Sequence, residues 1–188
     1  MPGVKTALLN DTAAALEAAR ADFQPTATAA LVMVGTAIGA AFQMDGAIAK
    51  GAKGWAGELG YMPVRSPTGG VQHLDSVSGG AALLRQSGLS APELSARLAD
   101  GDESVRALVG EAGRALGLAL ATLVNLLNPE LIVLGGGTLA YIGYVEAALA
   151  EAEVWSFPAL WQCCRIVVFP HGERLVALGA ATAATLAT

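Results

Sequence analysis

Charge is scarce in this chain. Asp, Glu, Lys and Arg supply 14% of its 188 residues, against 54% hydrophobic, and 16 acids over 11 bases leave a net charge of −5. That sign excludes a broad phosphate-gripping surface, because modules that hold nucleic acid are usually basic. No direct nucleic-acid contact is expected. Cysteine is scarcer still: only Cys163 and Cys164, side by side. A vicinal pair rarely closes on itself and gives no oxidising framework, so both read as ordinary apolar residues. The only histidines, His73 and His171, have no ligand spacing to each other. The apolar runs at residues 29–42 and 115–127 are interrupted by glycine or polar residues. Both fall short of the roughly 18–20 residues that a membrane span needs. The opening MPGVKTALLND lacks the apolar stretch of a secretory signal. A cytoplasmic protein with no membrane partner is the expectation.

What is present is a chain long enough for one substantial core, or two very small ones, and rich in alanine and glycine. Such a composition hides much of its surface, in part against another chain or lobe, so a homo-oligomer (a dimer) is expected.

The pattern alternates strands and helices. VKTALLND reads as a short buried strand ending at Asn10 and Asp11, and TAAALEAARA as a helix that either side chain can cap, since their oxygens accept the free N–H groups of a first turn. ATAALVMVG and AAFQM are of strand length, and the second meets AIA across Asp45-Gly46, a dipeptide suited to a tight hairpin. Residues 51–70 read as irregular and helix resumes from Gly79. Ser90 and Glu93 form a capping box around Pro92. Asp102 opens the longest helix, Glu103 to Leu127, whose Leu116, Leu120, Leu123, Val124 and Leu127 make one apolar stripe. Asn128-Pro129 ends it. ELIVLGGG is a buried strand entering a glycine turn, followed by a helix from about Leu139 to Glu153. RIVVF is another buried strand, and residues 175–187 form a small-residue helix. Strands apolar on both faces, each followed by a helix, give an α/β fold with a mixed sheet flanked by helices.

One stretch carries a chemical question. KGAKGWAGELGYMPV surrounds the single acid Glu58 with Gly51, Gly54, Gly57 and Gly60. Glycine costs roughly 0.5–1 kcal/mol relative to alanine in regular structure, so the cluster marks a shaped loop. Either only small residues fit a tight crossover there, or the loop holds Glu58 against a polar ligand.

Taken in order, NDTAAALEA, GTAIGAAFQMDGAIAKGAKGWAGELGYMPV, LVNLLNPELIVLGGG and LVALGAATAA resemble the ROK family, named for repressors, open reading frames and kinases. The resemblance implies an actin-like ATPase, ribonuclease H-like sugar-kinase fold of two lobes with a cleft between them. On this reading residues 1–188 are a single domain, the C-terminal lobe, and residues 1–11 are a remnant of the first lobe's last strand. The N-terminal phosphate-loop lobe and any helix-turn-helix are then absent.

The same resemblance implies roles. Asp11 matches the catalytic base that takes a proton from the accepting sugar hydroxyl. Asn10, Asp11, Glu58 and Asp75 match sugar-binding positions, Asp75 being one methylene shorter than the usual Glu. Gly35 and Thr36 lie where the family contacts ATP phosphates, and Gly135 and Gly136 where a turn lies near adenosine. Departures accompany these matches. Ala37 and Ala41 replace more usual glycines, where a β-carbon obstructs a phosphate. Tyr61 stands at the histidine of the family's structural zinc, and Ser66, Thr68 and His73 at its cysteines. One plausible ligand of four cannot close a tetrahedral site, so zinc is expected to be absent and residues 65–74 mobile or held by other packing.

These departures favour a small-molecule sugar sensor, the hexose- or amino-sugar-binding effector domain of a ROK transcriptional regulator. The alternative is the C-terminal lobe of an ATP-dependent hexose kinase, inactive as this chain, with ATP and Mg relevant only to a full-length protein. A third reading is a ligand-free dimer.

Overall fold

The structure, a computed structural model, describes residues 10–19, 27–65, 69–169 and 172–186. The strand expected over residues 4–9 lies outside them.

Helix α1 (Asp11–Ala19) leads to β1 (Ala29–Val34), β2 (Ile38–Met44) and β3 (Ala47–Ile48). The β2–β3 turn is Asp45-Gly46, with φ of 49° and 78°. A short hairpin of β4 (Pro63–Arg65) and β5 (Val71–His73) precedes helices α2 (Leu74–Ser78), α3 (Gly80–Ser87), α4 (Ala91–Ala99) and α5 (Glu103–Leu127). Then come β6 (Leu131–Gly135), α6 (Tyr144–Trp155), α7 (Pro158–Cys163), β7 (Arg165–Val168) and α8 (Gly172–Leu186). The main sheet runs β3-β2-β1-β6-β7. β1 pairs antiparallel with β2 and parallel with β6, and β7 is parallel to β6. The sheet is mixed, as expected from strands apolar on both faces.

Alternation along the strands divides the core into two layers. Ala30, Val32 and Val34 of β1, with Ile132 and Leu134 of β6, face the helices of the α2–α6 side. Ala29 and Leu31, with Leu131 and Val133, face Leu16 of α1 and Leu175 of α8. On that second side α1 and α8 touch backbone to backbone: a β-carbon at Gly179 would overlap the Ala14 carbonyl.

Helix α5 has the expected bounds because both ends are capped. The Asp102 carboxylate accepts the amides of Ser104 and Val105, and Asn128, at φ 46°, adopts the left-handed C-cap before Pro129. By length and a mean hydropathy of 1.5 the helix would suffice to cross a membrane, but 61% of its most apolar window is buried inside the fold. Each fully buried leucine stabilises the fold by about 1.5–3 kcal/mol, and Leu116 and Leu120 are both fully buried. Helix α5 is a core helix. A buried triad joins it to its neighbours: Ser78 Oγ donates to the Ala112 carbonyl at 2.6 Å, while the Tyr144 hydroxyl, 2.6 Å from Ser78 Oγ, donates to the Ser78 carbonyl at 2.8 Å. Burial raises the Tyr144 phenol well above its ordinary range.

Several features differ from the sequence expectation, among them β7, which was expected to be buried but lies at the sheet edge with all four residues exposed or half-buried. Residues 51–70, read as irregular, contain β4, which pairs with β5; of the two alternatives for residues 65–74, mobile or held by other packing, this pairing is the second for the residues described. Helix begins at Leu74, before Gly79. Helix α6 starts at Tyr144, because residues 137–140 make a 3-10 turn and Gly143 sits at φ 87° ahead of it. Helix α7 was not foreseen; Pro158 occupies its first turn.

Candidate ligand cleft

At the carboxyl end of β1 the chain turns sharply through Gly35, Thr36 and Ala37 before entering β2. Several straps fix that turn. The Gly35 amide donates to the Ala37 carbonyl at 3.0 Å. The Gly35 carbonyl accepts the Gly80 amide at 2.8 Å and the Thr138 hydroxyl at 3.0 Å, and the Thr36 carbonyl accepts the Ala81 amide at 3.1 Å. At its far end the Ile38 amide donates to Asp75 Oδ1 at 2.6 Å.

This turn floors a cavity of about 960 Å³. Asn10, Asp11, Glu58 and Asp75 all line it, together with Gly35 and Thr36, although they come from α1, the glycine-rich loop, α2 and the β1–β2 turn. Asn10 caps α1: its Oδ1 accepts the Ala13 amide at 2.7 Å. Asp11 Oδ1 accepts the Thr12 amide at 2.8 Å, which leaves Oδ2 for a ligand. Capping and cavity lining therefore coexist at the same two residues.

Gly57 decides where Glu58 sits. Its φ is 104°, and a β-carbon there would overlap the Ala40 carbonyl. The loop thus lies directly on β2, with the Ala40 amide donating to the Gly57 carbonyl at 2.7 Å. Glu58 follows, exposed on the cavity wall and leading the 3-10 turn Leu59–Tyr61. Asp75 is half-buried between two of these pieces: besides its bond to Ile38, its carboxylate covers Gly60 so closely that no side chain would fit there.

Several lining residues escaped the sequence reading, and two of them carry chemistry of their own. Lys53 and Trp55 project from the same loop, and Trp55 is 73% exposed. A tryptophan set between glycines beside Glu58 was the available signal. Tyr61 also lines the cavity, and its ring lies 4.9 Å from that of His73, tilted by 44°. A phenol paired with an imidazole does not fit a closed structural zinc site, and among the described residues no group of three or more His, Cys, Asp or Glu could hold a metal.

The other glycines lie elsewhere. A second cavity, about 470 Å³, adjoins the first at Gly35 and Thr36 and is lined by Gly137, Thr138 and Tyr141 among others. Gly135 is buried in β6, and Gly136 rests against the Val34 backbone; neither lines that cavity. Ala37 lines the first cavity, whereas Ala41 is buried between the sheet and α1. Cys163 is exposed and Cys164 partly buried, both free; desolvation raises the Cys164 thiol to about 11.

A mixed sheet flanked by helices, with a polar cavity at a strand-end turn, defines one lobe of an actin-like sugar-kinase fold. The ROK family model matches residues 3–186, and the chain belongs to the ROK family. It is 26% identical to N-acetylmannosamine kinase of Haemophilus influenzae, over 93% of this chain and 61% of that one. An uncharacterised Clostridium perfringens protein is 31% identical, over 61% of this chain and 40% of that one. The chain thus spans 61% and 40% of these two relatives' own length, less than two thirds of either. Among solved structures, a ROK hexokinase from Thermus thermophilus superposes with a TM-score of 0.80 at 28% identity, covering 94% of this chain and 63% of that one. A ROK family transcriptional regulator, described as a homolog of the E. coli MLC protein, gives 0.79 at 25% identity, covering 95% and 51%. Regulators and kinases both stand among the relatives.

Proposed function

We propose that this chain is the C-terminal, sugar-binding lobe of a ROK protein, acting in the cytoplasm as the effector domain of a transcriptional regulator. One observation carries the reading: Asn10, Asp11, Glu58 and Asp75, from separate parts of the sequence, converge on one cavity. Carboxylates are the natural acceptors for sugar hydroxyls, and a hydrogen bond to a charged group contributes about 1.5–3 kcal/mol. Trp55 supplies the apolar surface on which the C–H face of a hexose or amino-sugar ring rests. Ligand that binds one lobe arrangement better than another shifts the population between them, and that shift is the signal.

The regulator role is favoured over phosphoryl transfer by the turn itself. The Gly35 amide is already donated to Ala37, so that donor is not offered to a phosphate, and Ala37, with its β-carbon, lines the same cavity. The kinase reading draws on the adjoining second cavity, which would take the nucleotide, and on Asp11 as the base that receives the hydroxyl proton.

Calorimetric titration of a hexose and N-acetylhexosamine panel into the 188-residue chain tests the proposal. Wild type is expected to bind one or more of them, and Glu58→Gln to weaken that binding by roughly tenfold or more. Equal heats from the two proteins, or no heat from wild type, overturn it.

A further inference from the structure

We infer that the ligand of this cleft is longer than one ring: the Glu58 segment carries a second sugar subsite, built on Tyr61, that suits a disaccharide. The inference rests on the sugar-binding reading and extends it. Tyr61 is 64% exposed and lines the cavity. It closes the 3-10 turn that Glu58 leads, its amide donating to the Glu58 carbonyl at 3.1 Å. Side chains three apart in such a turn eclipse, so the phenol ring and the carboxylate leave the chain on the same side. Trp55 comes three residues before Glu58 and Tyr61 three after. The acid thus has an aromatic residue on either side of it along the chain, and all three border one cavity.

The C–H face of a pyranose ring is apolar, and covering it with an indole or a phenol takes that surface out of water. A single ring resting on Trp55 leaves Tyr61 bare; a second ring linked to the first covers it. Size agrees. The cavity of about 960 Å³ is near the top of the range of about 300–1,000 Å³ for small-molecule pockets, where a monosaccharide belongs at the small end. Polar chemistry agrees as well. Ring and glycosidic oxygens only accept hydrogen bonds, so the carboxylates cannot serve them, whereas the Lys53 ammonium and the Tyr61 hydroxyl on the same wall can donate. The Tyr61 platform is also set in advance. Its ring lies 4.9 Å from that of His73, His73 pairs with Pro63 in the β4–β5 hairpin, and the Leu74 amide donates to the Met62 carbonyl at 2.9 Å. A side chain already oriented loses little freedom on binding.

Calorimetry with sugars that differ only by the second ring tests it: glucose against cellobiose and maltose, and N-acetylglucosamine against chitobiose. In wild type at least one disaccharide should bind about fivefold or more tighter than its monosaccharide, and Tyr61→Ala should erase that advantage while leaving the monosaccharide within about twofold. Tyr61→Phe, which keeps the ring, should retain most of it. A disaccharide no tighter than its monosaccharide in every pair overturns the inference, and this wild-type comparison stands even if Tyr61→Ala disturbs the turn. Equal losses for both members of a pair in Tyr61→Ala also overturn it, since Tyr61 would then serve the first ring. Heat from monosaccharides without a disaccharide advantage fails this inference alone; no heat from any sugar fails the sugar-binding reading beneath it.

Discussion

Asp75 and Ile38 lie 37 residues apart in sequence, yet the Asp75 carboxylate accepts the Ile38 amide at 2.6 Å while also covering Gly60. One side chain thereby joins α2, the start of β2 and the Glu58 loop. Its place in the cavity wall is built on this bracing role.

Replacing Asp75 with Ala strands the Ile38 amide in a half-buried setting. The expected loss is about 1–2 kcal/mol in urea denaturation, and Asp75→Asn, which keeps an acceptor oxygen, should recover most of it. Equal losses from the two variants would show that the oxygen is not what matters.

Gly57→Ala meets a left-handed backbone and the Ala40 carbonyl at once. A destabilisation of about 2–4 kcal/mol is expected, with loss of sugar affinity because Glu58 moves with the loop. Unchanged thermal stability would contradict the close approach of the loop to β2.

Trp55 is exposed at the cavity rim, so sugar should change its emission. A Trp155→Phe/Trp161→Phe background leaves Trp55 as the only reporter. Quenching or a blue shift on titration is expected there, and Trp55→Ala in the wild-type background should cost about tenfold in affinity, as an aromatic contact of roughly 1.5 kcal/mol implies. A silent Trp55 in a protein that binds sugar would remove it from the site.

Acid should weaken the start of α5. The hydroxyl of Ser104, then the Val105 amide and Arg97, hold the Asp102 carboxyl at about 2 instead of 3.8. A group depressed in the folded state contributes stability above its unfolded value and loses it as pH falls through the folded one. The melting temperature should therefore drop between about pH 4 and pH 2 by more in wild type than in Asp102→Asn, which keeps the cap but cannot titrate. Identical pH profiles would place the acid sensitivity elsewhere.

Helix α5 was legible because stripe, N-cap and C-cap all point to the same bounds. The β4–β5 hairpin was not: β5 is exposed at all three residues, so no apolar alternation marks it. At the site, Asp11 and Glu58 stood out through motifs, whereas the bracing by Asp75 depends on a partner in a distant element. Lys53 and Trp55 belong to a loop without periodicity, where only three-dimensional convergence assigns a wall. The glycines of the 135–137 turn show the converse. Alike in sequence, Gly135 and Gly136 serve packing, and Gly137 alone borders the second cavity.

The contact at Gly179 and Ala14 has a mechanical reading. Two helices interlocked where not even a methyl group fits cannot slide independently, so α1 and α8 act as one lever. Asp11 opens the first of these helices and lines the cavity, so any displacement of its carboxylate would be carried to the last described helix.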